Sequence, residues 1–150
     1  AAVISLAPLR FSHTYYSDCE MGAEHLSNYN TAKQLVSGGK GHEIMFVDFP
    51  NPNAYFSADV YLDRHCSEHY DITQDYTNKI ECPLLILTGT EEQHPRMRDA
   101  GKDMAALCQG RSNVTWVHLD GGDHGWHNKE DDLFTVVPQW LGMEETAEAL

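Results

Sequence analysis

Across 150 residues the chain carries 10 Lys and Arg against 23 Asp and Glu, a formal net charge of −13 with histidine neutral. That length suits one domain with one core, and 41% apolar residues give it the material to fold. The bases are scattered, which argues against nucleic acid or an anionic membrane as partner, because phosphates are recognised by clustered Lys and Arg. No apolar run is long enough to span a bilayer. The acidic balance reads as a solvated surface.

In chain order, Ala2 to Leu6 is a short apolar run without polar alternation, the pattern of a parallel strand covered on both faces. The chain opens inside this strand, without an initiator Met or a signal peptide, so we expect polypeptide upstream of it. Ala7-Pro8 ends the run. From there to about Asn78 the composition turns aromatic, His-rich and polar. Within that stretch Leu26, Tyr29, Ala32 and Val36 keep near-helical spacing, with Gly38-Gly39 as a stop. Glu43 to Phe49 suits a short strand closed by Pro50-Asn-Pro52, and Ala54 to about Cys66 reads as a second helix. The whole segment looks like an insertion between two strands of a sheet. Leu84 to Thr88 resumes that sheet. Met97, Ala100, Met104, Leu107 and Cys108 then mark one face of a helix that Gln109-Gly110 closes. Val114 to Leu119 is the next, buried strand. Leu133, Val136, Val137, Trp140 and Leu141 predict a final helix, which Pro138 is expected to kink or divide. Met143 to Leu150 is expected to fray.

Cys19, Cys66, Cys82 and Cys108 show no C-x-x-C pairing and no dense framework, which fits free thiols in a reducing, cytoplasmic compartment. Asn113-Val-Thr115 matches a glycosylation sequon, but its place at the start of a predicted strand makes the match coincidental.

The chemistry concentrates in two strand ends. Pro83-Leu-Leu-Ile-Leu-Thr-Gly-Thr-Glu-Glu92 leads a strand through a glycine to carboxylates, and Leu119-Asp-Gly-Gly-Asp-His-Gly-Trp-His127 leads the next through two glycines to an imidazole. Open α/β sheets place their ligands and reacting groups at such C-terminal strand edges. Acid, helix, strand, then His is the order of the last two members of a Ser…Asp/Glu…His relay. Gly121-Gly122 would clear the approach to His124 as a general base. Asp120 and Asp123 flank it as candidates to tune the imidazole or brace the turn. Glu91 and Glu92 compete for the orienting carboxylate. Glu92 lies further past the strand end, towards the neighbouring strand, and Glu91 suits solvent or the turn backbone.

Ile80-Glu-Cys-Pro-Leu-Leu-Ile-Leu-Thr-Gly-Thr-Glu-Glu92, followed by Asp120-Gly-Gly-Asp-His-Gly-Trp126, resembles the α/β-hydrolase superfamily, in particular its serine esterase and lipase-like branches with a helical cap. The resemblance implies the C-terminal half of one α/β-hydrolase domain: parallel strands with flanking helices, plus a mostly helical cap at about 11–78 lying over the C-terminal edge of the sheet. It implies His124 as base and Glu92 as acid, Glu standing where Asp is commoner. It implies acyl transfer on a small ester-like substrate without cofactor or metal. The eight serines (Ser5, Ser12, Ser17, Ser27, Ser37, Ser57, Ser67, Ser112) all lack the G-x-S-x-G elbow. The nucleophile is therefore expected from an N-terminal half outside these residues, in the same or a separate chain.

Two rivals stand beside this reading. One is a non-catalytic α/β interaction module. The other is a metal site, since His65 and His69 are spaced i, i+4 and His124 and His127 i, i+3; neither pair brings a third ligand by its spacing, and His65 and His69 are expected near solvent. The aromatics Phe11, Tyr15, Tyr16, Tyr29, Phe46, Phe49, Tyr55, Phe56 and Tyr61 suit either the lining of an apolar pocket or the core of a small cap.

Overall fold

In the computed structural model, which describes residues 1–73 and 79–143, the chain divides into two compact units. One comprises Ala1–Pro8 and Asn78–Leu150, the other Leu9–Thr77.

The first unit is α/β, with a parallel three-stranded sheet flanked by helices. Strand β1 (Val3–Leu6) pairs in parallel with a later strand running Leu84–Gly89, which in turn pairs in parallel with one at Val114–Leu119. The middle strand explains its own position. Every residue of Leu84–Gly89 is buried, which an uninterrupted apolar run tolerates only with neighbours on both edges and cover on both faces. The helix at Pro95–Leu107 opens on Pro95, where the missing N–H costs nothing. It buries Ala100, Gly101 and Met104, and a Cβ on Gly101 would meet the Thr88 methyl at 2.1 Å, so helix and strand lie backbone-close. The side chains of the opposite face, Leu85 and Leu87, form a core with Trp126, joined by Val117, Leu119, Leu133, Val136, Val137 and Trp140.

The flanking strands are less covered than their composition predicts. Val114–Leu119 is half-exposed rather than buried, with Trp116 open to solvent, because it is an edge of the described sheet. Val3, Ile4 and Leu6 of β1 are likewise exposed. The final helix, Glu130–Trp140, is not divided by Pro138. Proline falls in its last turn, where it removes only the donor owed to the Phe134 carbonyl, and Phe134 is exposed enough for water to take that place. Residues 144–150, expected to fray, lie outside the described residues. The Asn113 side-chain amide donates to the Glu81 and Cys82 carbonyls at 3.2 and 2.9 Å, tying down the strand entry.

The second unit holds α1 (His13–Asp18), α2 (Gly22–Ser37), a hairpin of β2 (Ile44–Val47) and β3 (Ala54–Ser57), and α3 (Ala58–His65). Counting on through the first unit, Leu84–Gly89 is β4, Pro95–Leu107 is α4, Val114–Leu119 is β5 and Glu130–Trp140 is α5. The Gly38-Gly39 stop takes a Schellman form. Gly39 sits at φ +74°, and the Gly39 and Lys40 N–H groups donate to the Val36 and Leu35 carbonyls.

Two expectations need correction. Ala54–Ser57 is a strand rather than the start of a helix. Its Tyr55 and Phe56 pair antiparallel with Phe46 and Met45, and the cross-strand aromatic pairing outweighs a short helical pattern. His65 is fully buried, against Phe11, Phe56 and Tyr61, and not near solvent. The helix carrying it ends at the Cys66 cap, so His69 does not continue its face. The aromatics divide: Tyr16, Phe49 and Tyr61 are core, whereas Phe46 and Tyr55 meet edge to face on the open face of the hairpin. Ala32, Met45, Val47, Ala58 and Tyr61 complete the core of this unit. Its two ends are tied by Arg10, which donates to Thr73 at 2.8 Å beside the buried Asp71.

His25 is buried in this unit, and burial, with His13 beside it, lowers its pKa to about 4. Below about 6.5 the unfolded chain takes up a proton that the folded chain refuses until pH reaches about 4. Stability should therefore fall as pH drops through that window, by at most about 3 kcal/mol at 1.36 kcal/mol per unit. Unfolding midpoints measured between pH 7 and 4 in the presence of a chelator should show the slope, and His25→Gln should flatten it.

Candidate functional site

β4 and β5 run parallel and end in step, Gly89 opposite Leu119, so the turns that follow leave the sheet side by side. Four backbone and hydroxyl contacts fasten them. The Thr90 N–H donates to the Leu119 carbonyl at 3.0 Å and the Glu91 N–H to the Gly122 carbonyl at 2.8 Å. The Gly121 N–H donates to the Thr90 hydroxyl at 2.8 Å, and that hydroxyl reaches Asp120 at 3.4 Å. The approach depends on glycine: a Cβ on Gly89 would stand 2.0 Å from the Gly122 oxygen. Trp126, buried on Leu85 and Leu87, anchors the far end of the second turn to the core.

This fastening brings Glu92 and His124 together across 32 residues of sequence, Glu92 Oε2 lying 3.0 Å from His124 Nδ1. The two side chains are held very differently. The Glu92 carboxylate is 8% exposed, and its other oxygen accepts the His94 N–H at 3.3 Å where α4 begins. The His124 ring is 54% exposed, and its Nε2 has no partner among the described residues. A carboxylate only accepts, so Nδ1 carries the proton and Nε2 is left with a lone pair facing outward. The arrangement can take up a proton at Nε2 and steady the resulting imidazolium.

The remaining candidates fall away from that pair. Glu91 is exposed and contributes only its N–H. Asp123 turns from His124 to His127, accepting its N–H at 3.0 Å and its ring Nδ1 at 2.7 Å. His124 and His127 thus pair with different carboxylates, and no group of three metal-ligating side chains forms around them among the described residues. The hydrogen bond and charge of Asp123 raise the His127 pKa, and Asp123 is lowered in return. Histidine NMR should find His127 titrating above its ordinary value, and Asp123→Asn should return it. A raised histidine stabilises below its unfolded pKa and loses that contribution as pH rises through the folded value.

Sequence reasoning missed Thr90 and Trp126. A hydroxyl directly after the strand-ending glycine was the available signal for Thr90. Trp126 adopts φ +57°, and nothing local announces that a tryptophan will enter the left-handed region.

No family model matches the chain, and no curated protein does. Among solved structures the chain is similar to an alpha/beta fold family hydrolase from Bacillus anthracis str. Sterne, at 15% sequence identity and a TM-score of 0.46. The match covers 94% of this chain and 57% of that one, so the chain spans little more than half that protein's length.

Proposed function

We propose that the chain is the C-terminal part of an α/β-hydrolase domain and supplies the acid and base of a serine hydrolase acting on ester-like bonds. The observation that carries this reading is the 3.0 Å contact between a buried Glu92 carboxylate and Nδ1 of an exposed His124 whose Nε2 is open. A serine from polypeptide outside these residues attacks the ester carbonyl while Nε2 takes its proton. The imidazolium then returns that proton to the leaving alcohol, and water repeats the sequence on the acyl-enzyme. Glu92 holds the tautomer and the ring angle throughout. The segment at about 11–78, inserted between β1 and β4, takes the part of the cap.

The rest of the hydrolase domain is the proposed partner of β1. Supporting this, β1 has a neighbour on one edge only among the described residues and exposes Val3, Ile4 and Leu6. Leu6 also lines an apolar cavity of about 300 Å³ with Leu133, Phe134, Val137 and Pro138. An open apolar strand edge is a pairing surface.

The test uses the full-length protein that contains this chain, with a serine-reactive fluorophosphonate and short-chain 4-nitrophenyl esters. The expected result is labelling of one serine and ester turnover, both lost in His124→Ala. A folded full-length protein that neither labels nor turns over ester, or labels equally without His124, overturns the reading in favour of a non-catalytic α/β interaction module.

A further inference from the structure

We propose that the second unit binds one zinc-like divalent cation through His13, His25 and Cys66. Their ligand atoms all lie within 4.8 Å of one another. His13 Nδ1 and His25 Nε2 face each other at 2.9 Å. Donors on a tetrahedral zinc, at about 2.0–2.1 Å for nitrogen and 2.3 Å for sulfur, stand roughly 3.3–3.6 Å apart. The two rings would part slightly and the sulfur close in, movements of about 1 Å that side-chain torsions supply.

Three features set this cluster apart from an ordinary hydrogen-bonded core. First, only one proton can lie between the two facing nitrogens, and the Cys66 sulfur, half-buried beside them, makes no hydrogen bond among the described residues. Three soft or borderline donors therefore share one point with a single hydrogen bond between them. Second, the rings are oriented from behind. His25 Nδ1 lies 3.0 Å from the Tyr61 hydroxyl; with a cation on Nε2, Nδ1–H would donate to the phenol oxygen, and metal-bound histidines are held by such a partner on the second nitrogen. His13 lies against Tyr29, ring centroids 4.4 Å apart. Third, the segments bearing His13 and Cys66 are held together independently of these two side chains. Glu68, two residues beyond Cys66, accepts from the Ser12 hydroxyl at 2.6 Å and the Thr14 N–H at 2.7 Å, on either side of His13.

The two buried ligands differ in what a cation would ask of them. Burial keeps His25 neutral at physiological pH, with its pKa lowered to about 4, and pushes the Cys66 thiol up to about 12. A cation would expel the thiol proton, since a coordinating thiol is deprotonated outright. Two imidazoles and a thiolate select zinc over magnesium or calcium. The ligands come from the first residue of α1, the first turn of α2 and the cap of α3, so the ion would bind three helix ends to one another. The fourth position is left to water.

The test titrates the whole chain, stripped with a chelator, with Co²⁺ alone as a spectroscopic stand-in for zinc. One equivalent should produce thiolate-to-cobalt charge-transfer absorption and tetrahedral d–d bands, both displaced by Zn²⁺. Cys66→Ser should abolish the charge-transfer band. Tyr61→Phe should weaken binding by about 10–100-fold, as loss of an orienting partner does. Should Cys66→Ser misfold, His13→Asn at the half-exposed start of α1 serves instead: cobalt affinity should fall at least tenfold, and zinc should no longer raise its melting temperature. A wild-type protein without the charge-transfer band overturns the proposal. So does a band unchanged in Cys66→Ser, or wild-type affinity in His13→Asn.

Discussion

On the proposed hydrolase function, replacing His124 by alanine is expected to cut ester turnover of the full-length protein by about ten-thousand-fold, with the fold intact. The size follows from what is removed. A positioned base contributes about 10²–10⁴ in rate, and nucleophile and base fail together because neither acts without the other. The fold should survive because the ring is more than half exposed and sits on a turn whose anchor is Trp126. Glu92→Gln should also cost roughly 10²–10⁴-fold, by a different route. The amide can donate to Nδ1, which moves the ring proton to Nε2 and removes the lone pair that does the work. Its loss should appear in kcat rather than KM, because the residue faces the imidazole and not the substrate. Glu91→Gln is the control. Its side chain is exposed and only its backbone is used, so turnover should change little. Circular dichroism of each variant checks the fold. Turnover that survives His124→Ala, or falls equally in Glu91→Gln, would remove the acid–base assignment.

How far this site could be read from sequence depends on how local its causes are. β4 was legible because four consecutive apolar residues, Leu84 to Leu87, open a strand buried along its whole length, and its one polar side chain, Thr88, is satisfied by Trp116 and His118. The pairing of Glu92 with His124 followed from the order of two strand ends, since parallel strands that end in step set their turns side by side. Between Glu91 and Glu92 the sequence favoured Glu92 by its place further past the strand end, and the structure supplies the reason, since only Glu92 turns towards His124. The hairpin was half-missed for another reason. Ala-Tyr-Phe-Ser is too short to show a period, and what decides it is pairing with Ile44–Val47 across a loop. Pro138 misled because a helix interior and a helix end obey different rules, and sequence alone did not say which it occupied. The His13, His25 and Cys66 cluster is further still from view. Its members lie on three helices and share no spacing, whereas the spaced pair at His65 and His69 is broken by the end of α3.

Gly89→Ala is expected to destabilise the first unit by about 3 kcal/mol or more and to disable the site in whatever fraction stays folded. A methyl there would stand 2.0 Å from the Gly122 oxygen and 2.3 Å from its carbonyl carbon. Both are backbone atoms, with no rotamer in which to retreat, so the two turns must separate. Separation breaks the Glu91 N–H contact to Gly122 and strains that of Thr90 to Leu119, and it draws Glu92 and His124 apart. A misplacement of about 1 Å at such a pair can cost about 10²-fold in rate. Gly110→Ala separates this cause from a general intolerance of alanine. Gly110 sits at φ +86°, and a Cβ added there would meet nothing within 4 Å, so only the conformational penalty of about 1 kcal/mol applies. Denaturant unfolding of both variants should rank them clearly, and NMR of the His124 ring should show its Glu92 partner lost in Gly89→Ala alone. Equal destabilisation by the two substitutions would mean that close contact between the turns is not what holds the site together.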